Sequence, residues 1–364
     1  MENILKNILN KFNIKGNILS YKMLTNGNIN STIKITVNKN GDLKDYVLQK
    51  INTNVFKNPT LVMQNISNVT KHLQSKYLLD PDKDRKVLNF YPTNKNTYYF
   101  KSDINEYFRL CDFVPNSTTF NVTNDKKILE ETGKAFGEFQ LLLSDFPIDD
   151  LHITIKNFHN TVNRFELFRK AIKEDPKNRV CQVQKEIESY FELEEIATKM
   201  HIMSTKNQLP LRVTHNDTKC NNVMFDKQTL SRLCVIDLDT IMPGLIGFDF
   251  GDAIRFCANS VCEDEKDTTK VFLDLDKFEA FSKGFVTLVK PSLTPNEIET
   301  LPLGAITMTL ENGLRFLTDY INGDTYFKID YPLHNLDRTR CQLVLAKDMI
   351  KNLENMKNII KKYI

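Results

Sequence analysis

The run Val213-Thr214-His215-Asn216-Asp217-Thr218-Lys219-Cys220-Asn221-Asn222 sets a histidine, a carboxylate and an amide at H-x-D-x-x-x-x-N spacing. Soon after it, the apolar segment Cys234-Val235-Ile236 runs into Asp237. Phosphoryl transfer from ATP uses such a set. One carboxylate accepts the proton of the attacking hydroxyl, while an amide oxygen and a second carboxylate hold magnesium against the nucleotide phosphates. The spacing suits a short loop that presents Asp217 and Asn222 from opposite ends, with a hairpin returning Asp237 beside them. Asp and Asn are also ordinary turn formers and strand terminators. The kinase-type reading is favoured by His215 at the right offset, by Val223-Met224-Phe225 straight after Asn222, and by Val235-Ile236 before Asp237.

These segments resemble the catalytic and metal-binding elements of the aminoglycoside phosphotransferase and choline kinase superfamily. Asp217-Thr218-Lys219-x-Asn221-Asn222 and Asp237-Leu238-Asp239-Thr240-x-Met242-Pro243-Gly244 are similar, more narrowly, to the N-acetylhexosamine 1-kinases. The resemblance implies that Asp217 is the catalytic Asp and that Asn222 and Asp237 are magnesium ligands. It also implies a bilobal, protein-kinase-like α+β fold. A small N-terminal lobe with an antiparallel sheet, residues 1–113, would bind the nucleotide. A larger, mostly helical C-terminal lobe, residues 114–364, would carry catalysis and the acceptor.

Composition agrees with that size. The chain has 364 residues, 41% of them hydrophobic, which is enough for two lobes. A net charge of +3, with lysines alternating with Asp and Glu, argues against a nucleic-acid partner. No stretch approaches the length of continuous apolar sequence that a membrane span needs. The N-terminal segment Met1-Glu2-Asn3-Ile4-Leu5-Lys6-Asn7-Ile8-Leu9 lacks a signal-peptide core. Seven cysteines, scattered without short paired spacing, argue against both a disulfide framework and a zinc site. The expected location is cytoplasmic.

Near the N-terminus, Ile18 to Val37 reads as strand, loop, strand by its alternating flanks. Taken alone, Gly27-Asn28 is an ordinary hairpin turn. In this context the loop stands where kinases fold backbone amides over nucleotide phosphates. Gly27-Asn28-Ile29-Asn30-Ser31-Thr32 is similar to the G-x-I-N-x-T loop of the hexosamine kinases. That implies nucleotide contacts from Gly27, Ile29, Asn30 and Thr32, with Asn28 at a position that can face the acceptor. A third strand over residues 46–52 carries Lys50, a cation suited to the phosphates, though an exposed lysine on a strand is commonplace. A helix over residues 60–73 follows, with Leu61, Ile66, Val69 and Leu73 as its apolar stripe. It has no glutamate to pair with Lys50; Gln64 is the nearest substitute. Two more β segments end at Pro115, and Asp112 to Val114 fall where an interlobe hinge offers backbone groups to the adenine edge.

From about Lys126 the pattern is helical, with expected helices over 128–142, 185–203, 275–289 and 303–318. Asp249-Phe250-Gly251 spells the magnesium-binding triplet of protein kinases, but it lies thirty-two residues beyond Asp217 and opens a helical pattern. A carboxylate there caps the helix or braces the catalytic loop. The chain also lacks the H-R-D and A-P-E signatures of protein kinases. The late run Glu311-Asn312-Gly313-Leu314-Arg315-Phe316-Leu317-Thr318-Asp319-Tyr320-Ile321-Asn322-Gly323-Asp324-Thr325-Tyr326-Phe327 resembles the E-x-G-x-R-F-L-x-D-Y-x-x-G-D-x-Y-F run of the hexosamine kinases. There Arg315, projecting from a helix end, and Tyr326, after a Gly-Asp turn, make a sugar clamp, since both donate hydrogen bonds and offer a flat face. Without the resemblance they read as an interhelical salt bridge and a core tyrosine. Phe256 is a further candidate for packing on the sugar.

The expected activity is ATP- and Mg2+-dependent phosphorylation of the anomeric hydroxyl of N-acetylglucosamine or N-acetylgalactosamine. The alternatives are a kinase for choline, ethanolamine or an aminoglycoside, or a nucleotide-binding pseudokinase. Arg315 and the absence of tryptophan speak against a pocket for cations. Retention of Asp217, Asn222 and Asp237 speaks against a pseudokinase.

Overall fold

The computed structural model describes residues 1–24 and 30–364, so Gly27, Asn28 and Ile29 lie outside the described residues. The fold is mixed α+β, with an antiparallel sheet in the N-terminal part and helices through the C-terminal part. By contact density the chain divides into two compact units. Unit 1 is 1–118, 145–155 and 224–242; unit 2 is 119–144, 156–223 and 243–364.

Unit 1 is built on a five-stranded sheet of order β1-β2-β3-β5-β4: β1 (Asn17–Leu24), β2 (Ser31–Lys39), β3 (Asp42–Ile51), β4 (Phe100–Lys101) and β5 (Tyr107–Asp112). Every pairing is antiparallel. Because strand side chains alternate faces, the register sorts the residues into two rows. Ile33, Leu48 and Leu110 stand opposite one another on one face, beneath helix α1 (Glu2–Lys11), whose Leu5, Ile8 and Leu9 close that core. Thr32, Gln49 and Arg109 form the row on the other face.

Helix α2 (Pro59–Lys76) starts where the expected one does. Pro59 stands in its first turn, and the Asn58 side chain caps the Leu61 amide at 3.3 Å. Gln64 is exposed, whereas the neighbouring Asn65 is buried and donates to the carbonyls of His152 at 2.8 Å and Ile241 at 2.9 Å. A one-turn helix α3 (Lys83–Lys86) and a small sheet of order β6-β8-β9 complete the unit, with β6 (Ser117–Thr118), β8 (Val223–Asp226) and β9 (Arg232–Val235).

Unit 2 is helical apart from short strands such as β7 (Arg212–Thr214). Its helices are α4 (Lys126–Leu142), α5 (Thr161–Glu174), α6 (Gln184–Glu192), α7 (Glu194–Thr205), α8 (Ile246–Cys257), α9 (Leu275–Val289), α10 (Pro295–Asn322), α11 (His334–Lys351) and α12 (Leu353–Lys361). The single helix expected over 185–203 is two, because the chain turns at Leu193, whose amide bonds back to Ser189 and Tyr190. Neither Gly nor Pro marks that break, so the sequence carries no sign of it. The helix expected over 303–318 is the middle of α10. It starts earlier, at a capping box between Thr294 and Glu297, and tolerates Pro302 within its length. Helices α4 and α9 approach so closely that a Cβ on Gly133 would fall 2.2 Å from the Phe281 carbonyl oxygen, and one on Gly284 would fall 2.1 Å from that of Glu130. Among the described residues no helix is long and apolar enough to cross a membrane.

Candidate active site

The Asp217 loop follows β7, and a buried carboxylate of unit 2 braces its start. Asp249, in the first turn of α8, accepts from the backbone amides of His215 at 2.8 Å and Asn216 at 2.7 Å, and from the Gln140 side chain at 2.6 Å. Burial pushes the Asp249 carboxyl above the usual carboxylate range, although His215 and the three donated bonds pull the other way. The brace expected of the Asp249-Phe250-Gly251 triplet is therefore what the structure shows. His215 is fully buried, edge-on to Phe136 and Phe139, and its Nδ1 accepts the Asp217 amide at 3.3 Å. Its place at this offset is that of a post under the loop. Asn216 has φ 63°, a left-handed conformation that Asn and Asp tolerate better than other side chains, and it turns the chain just before Asp217.

The structure brings Asp217 and Asn222 together. The Asn222 amide nitrogen donates to the Asp217 carboxylate at 3.1 Å and to its carbonyl at 2.8 Å, which makes the amide oxygen the atom Asn222 can offer a metal. Lys219 makes an ion pair with Asp217 at 2.7 Å. Burial works to raise the Asp217 carboxyl, but Lys219, His215 and Asn222 outweigh it and hold the group below the usual carboxylate range. Asp217 is thus an ionised acceptor at neutral pH.

The sign gives a prediction. If Asp217 serves as a base it must be deprotonated, and the lowered value keeps it so until the pH falls through it. Removing the ammonium raises that value. Lys219→Met should therefore shift the acid limb of the kcat/KM profile to higher pH. An unmoved acid limb would show that Lys219 does not tune a carboxyl on which activity depends.

On the other side of the loop the Thr218 amide donates to Asp252 at 3.1 Å, and Asp252 pairs with the buried Arg255 at 2.9 Å. Phe256 lines a cavity of about 320 Å³ with Arg255, Glu263 and Lys277. That lining shares no residue with the Arg315 and Tyr326 cluster. Arg315 lies about two turns inside α10 and not at its end. The chain nevertheless returns as expected. Gly323 at φ 98° ends α10, the amides of Tyr326 and Phe327 bond to Asp319, and the Arg315 guanidinium lies over the rings of Tyr326 at 5.8 Å and Phe327 at 5.3 Å. Tyr326 is 67% exposed, which removes the reading as a core tyrosine.

One connection has no local signature. Glu311, one turn before Arg315, is fully buried and accepts from Thr161 at 2.6 Å and from His159 at 2.9 Å, while the other nitrogen of His159 reaches the Asn216 carbonyl at 3.4 Å. Burial opposes ionisation of Glu311, yet His159, Arg164 and Thr161 hold its carboxyl below the usual range. The Arg315 helix is thereby tied to the Asp217 loop.

In unit 1, Asp237 sits at φ 59°, the second left-handed residue of the motif. Two residues on, the buried Asp239 pairs with the buried Arg109, whose second nitrogen bonds it at 2.8 Å. Asn30 donates to the same carboxylate at 2.8 Å, Arg109 donates to Gln49 at 2.9 Å, and Gln49 to Thr32 at 3.1 Å. Asn30 and Thr32 thus share one network with the Asp237 stretch. Lys50 does not join it. It lies on the α1-covered face with Tyr46 and Leu48 and pairs with Glu106. Asp112 also faces that side, paired with Lys44 at 2.8 Å, and Val114 is buried against Leu233 and Cys234.

Residues 21–269 match the model of the APH phosphotransferase enzyme family. The chain belongs to that family. Its fold is similar to that of a spectinomycin phosphotransferase solved with ADP and spectinomycin: TM-score 0.60, 11% identity, covering 97% of this chain and 98% of that one. It is similar also to an aminoglycoside phosphotransferase from Alicyclobacillus acidocaldarius, with TM-score 0.62, 10% identity, and coverage of 98% and 96%. For a choline kinase from Cryptosporidium parvum the values are 0.53, 14%, and 94% and 92%.

Proposed function

We propose that the protein transfers the γ-phosphoryl group of ATP, with magnesium, to the anomeric hydroxyl of an N-acetylhexosamine. The observation that carries the acceptor class is the Arg315 guanidinium lying over Tyr326 and Phe327, on a helix tied through Glu311 and His159 to the Asp217 loop. A guanidinium and a phenol suit the hydroxyl and acetamido oxygens of a neutral sugar, and the charge of the guanidinium disfavours a cationic acceptor.

Asp217 is the base that accepts the hydroxyl proton, and its lowered carboxyl keeps it ionised to do so. Asn222 and Asp237 are assigned to magnesium. Both offer oxygen donors, the ligands this ion takes, and bound magnesium would neutralise charge on the phosphates. The nucleotide is assigned chiefly to the N-terminal portion, residues 1–113, at Gly27, Ile29, Asn30, Thr32 and the backbone of Asp112 and Phe113, with the backbone of Val114 just beyond it. Catalysis and acceptor, with Asn28 and Phe256 as further acceptor contacts, are assigned chiefly to 114–364. Relatives of similar fold were solved with ADP and with GDP, which supports a nucleotide donor. Reading Lys50 as the phosphate cation requires its ammonium to leave Glu106.

The test is an ADP-release assay across hexoses, N-acetylhexosamines, choline, ethanolamine and aminoglycosides. Turnover confined to N-acetylhexosamines supports the reading. Turnover of choline or an aminoglycoside alone leaves phosphoryl transfer standing and defeats the sugar assignment. Within that assay Arg315→Ala should lower kcat/KM for the sugar about ten- to a hundredfold while sparing the KM for ATP. A lower melting temperature with both KM values intact would make Arg315 structural.

A further inference from the structure

We propose that Arg164 is the residue that excludes amine-bearing acceptors from the site. The inference rests on the acceptor reading above and names its specificity device.

Arg164 stands on α5 one turn after Thr161, on the same face of the helix. Thr161 bonds Glu311, and Arg315 stands one turn after Glu311 on α10, against which α5 packs. The two helices therefore set Arg164 beside the Arg315 and Tyr326 cluster. Its guanidinium is only partly satisfied: one terminal nitrogen donates to the Phe158 carbonyl at 2.8 Å, and the buried Nε has no hydrogen-bond partner. Burial and the nearby Arg315 both work against its charge.

Two guanidiniums thus share a region whose neighbouring carboxylates are already engaged: Glu311 accepts from His159 and Thr161, and Asp319 from the amides of Thr325, Tyr326 and Phe327 and from Asn335. A second cation brought in on an acceptor would meet like charge that no spare carboxylate offsets. A neutral acetamido group would not. Repulsion of the wrong ligand is as effective a source of specificity as attraction of the right one.

The experiment compares N-acetylglucosamine with glucosamine, at a pH where its amine is protonated, in the wild type and in R164M, R164Q and R164K. R164Q keeps a donor for the Phe158 carbonyl and serves where R164M fails to fold. Loss of the charge should raise kcat/KM for glucosamine about tenfold or more, whereas R164K should keep it low. A gain of this kind is not what a merely structural loss produces. No gain in either neutral variant, or an equal gain in R164K, overturns the inference. A wild type that uses both sugars equally overturns it as well and leaves the sugar kinase reading standing. A wild type that turns over no N-acetylhexosamine overturns that reading, and this inference falls with it.

Discussion

Asp217→Asn should lose about a hundredfold to ten-thousandfold in turnover, the usual cost of removing a general base. The replacement has the same size and can still accept the Asn222 hydrogen bond, made at 3.1 Å in the parent protein. What it cannot do is accept the hydroxyl proton or form the ion pair with Lys219. The loop should stay in place, since its brace is Asp249 bonded to the backbone of His215 and Asn216. Binding of magnesium ATP, measured by calorimetry, should therefore survive while single-turnover phosphoryl transfer collapses. Near wild-type turnover would remove Asp217 from the base role.

Arg109→Met should destabilise the protein by about 3–5 kcal/mol, because it strands a buried carboxylate without its counterion. Arg109 is 2% exposed and its partner Asp239 is 3% exposed, so water cannot take over the solvation of whichever partner remains. The measurement is a urea midpoint for Arg109→Met, Asp239→Leu and the double variant. Removing both charges should cost much less than the sum of the single changes. Additive costs would mean that the two side chains do not act as a pair.

Much of the fold was legible from local pattern. Alternation gave β1 and β2, and the apolar stripe gave α2. The loop motif was legible too, and the structure joins Asp217 to Asn222 as its spacing suggests. Partners far apart in the chain were not legible. Arg109 with Asp239, Gln140 with Asp249, and His159 with Glu311 leave no periodicity, since each residue alone looks like an ordinary polar position. The sheet shows how fine that limit is. Lys50 attracts notice by its charge, yet Gln49, one residue earlier, lies in the row with Arg109 and Thr32. A shift of one residue along a strand changes the face. The capping box at Thr294 and Glu297 was written in the sequence, and it sets the true start of α10 eight residues before the apolar pattern begins at Leu303.

The carboxylate of Asp239 is shared by Asn30, a residue of the proposed phosphate loop, and by Arg109, while Asp237, the proposed magnesium ligand, is two residues away along the chain. Thermodynamic linkage follows from that sharing. If nucleotide binding draws Asn30 toward or away from Asp239, it changes the free energy of the stretch that offers Asp237. Whatever factor the nucleotide then contributes to magnesium affinity, magnesium must return to nucleotide affinity. Donor and metal would enter as one cooperative ligand, with a single side-chain amide as the coupler.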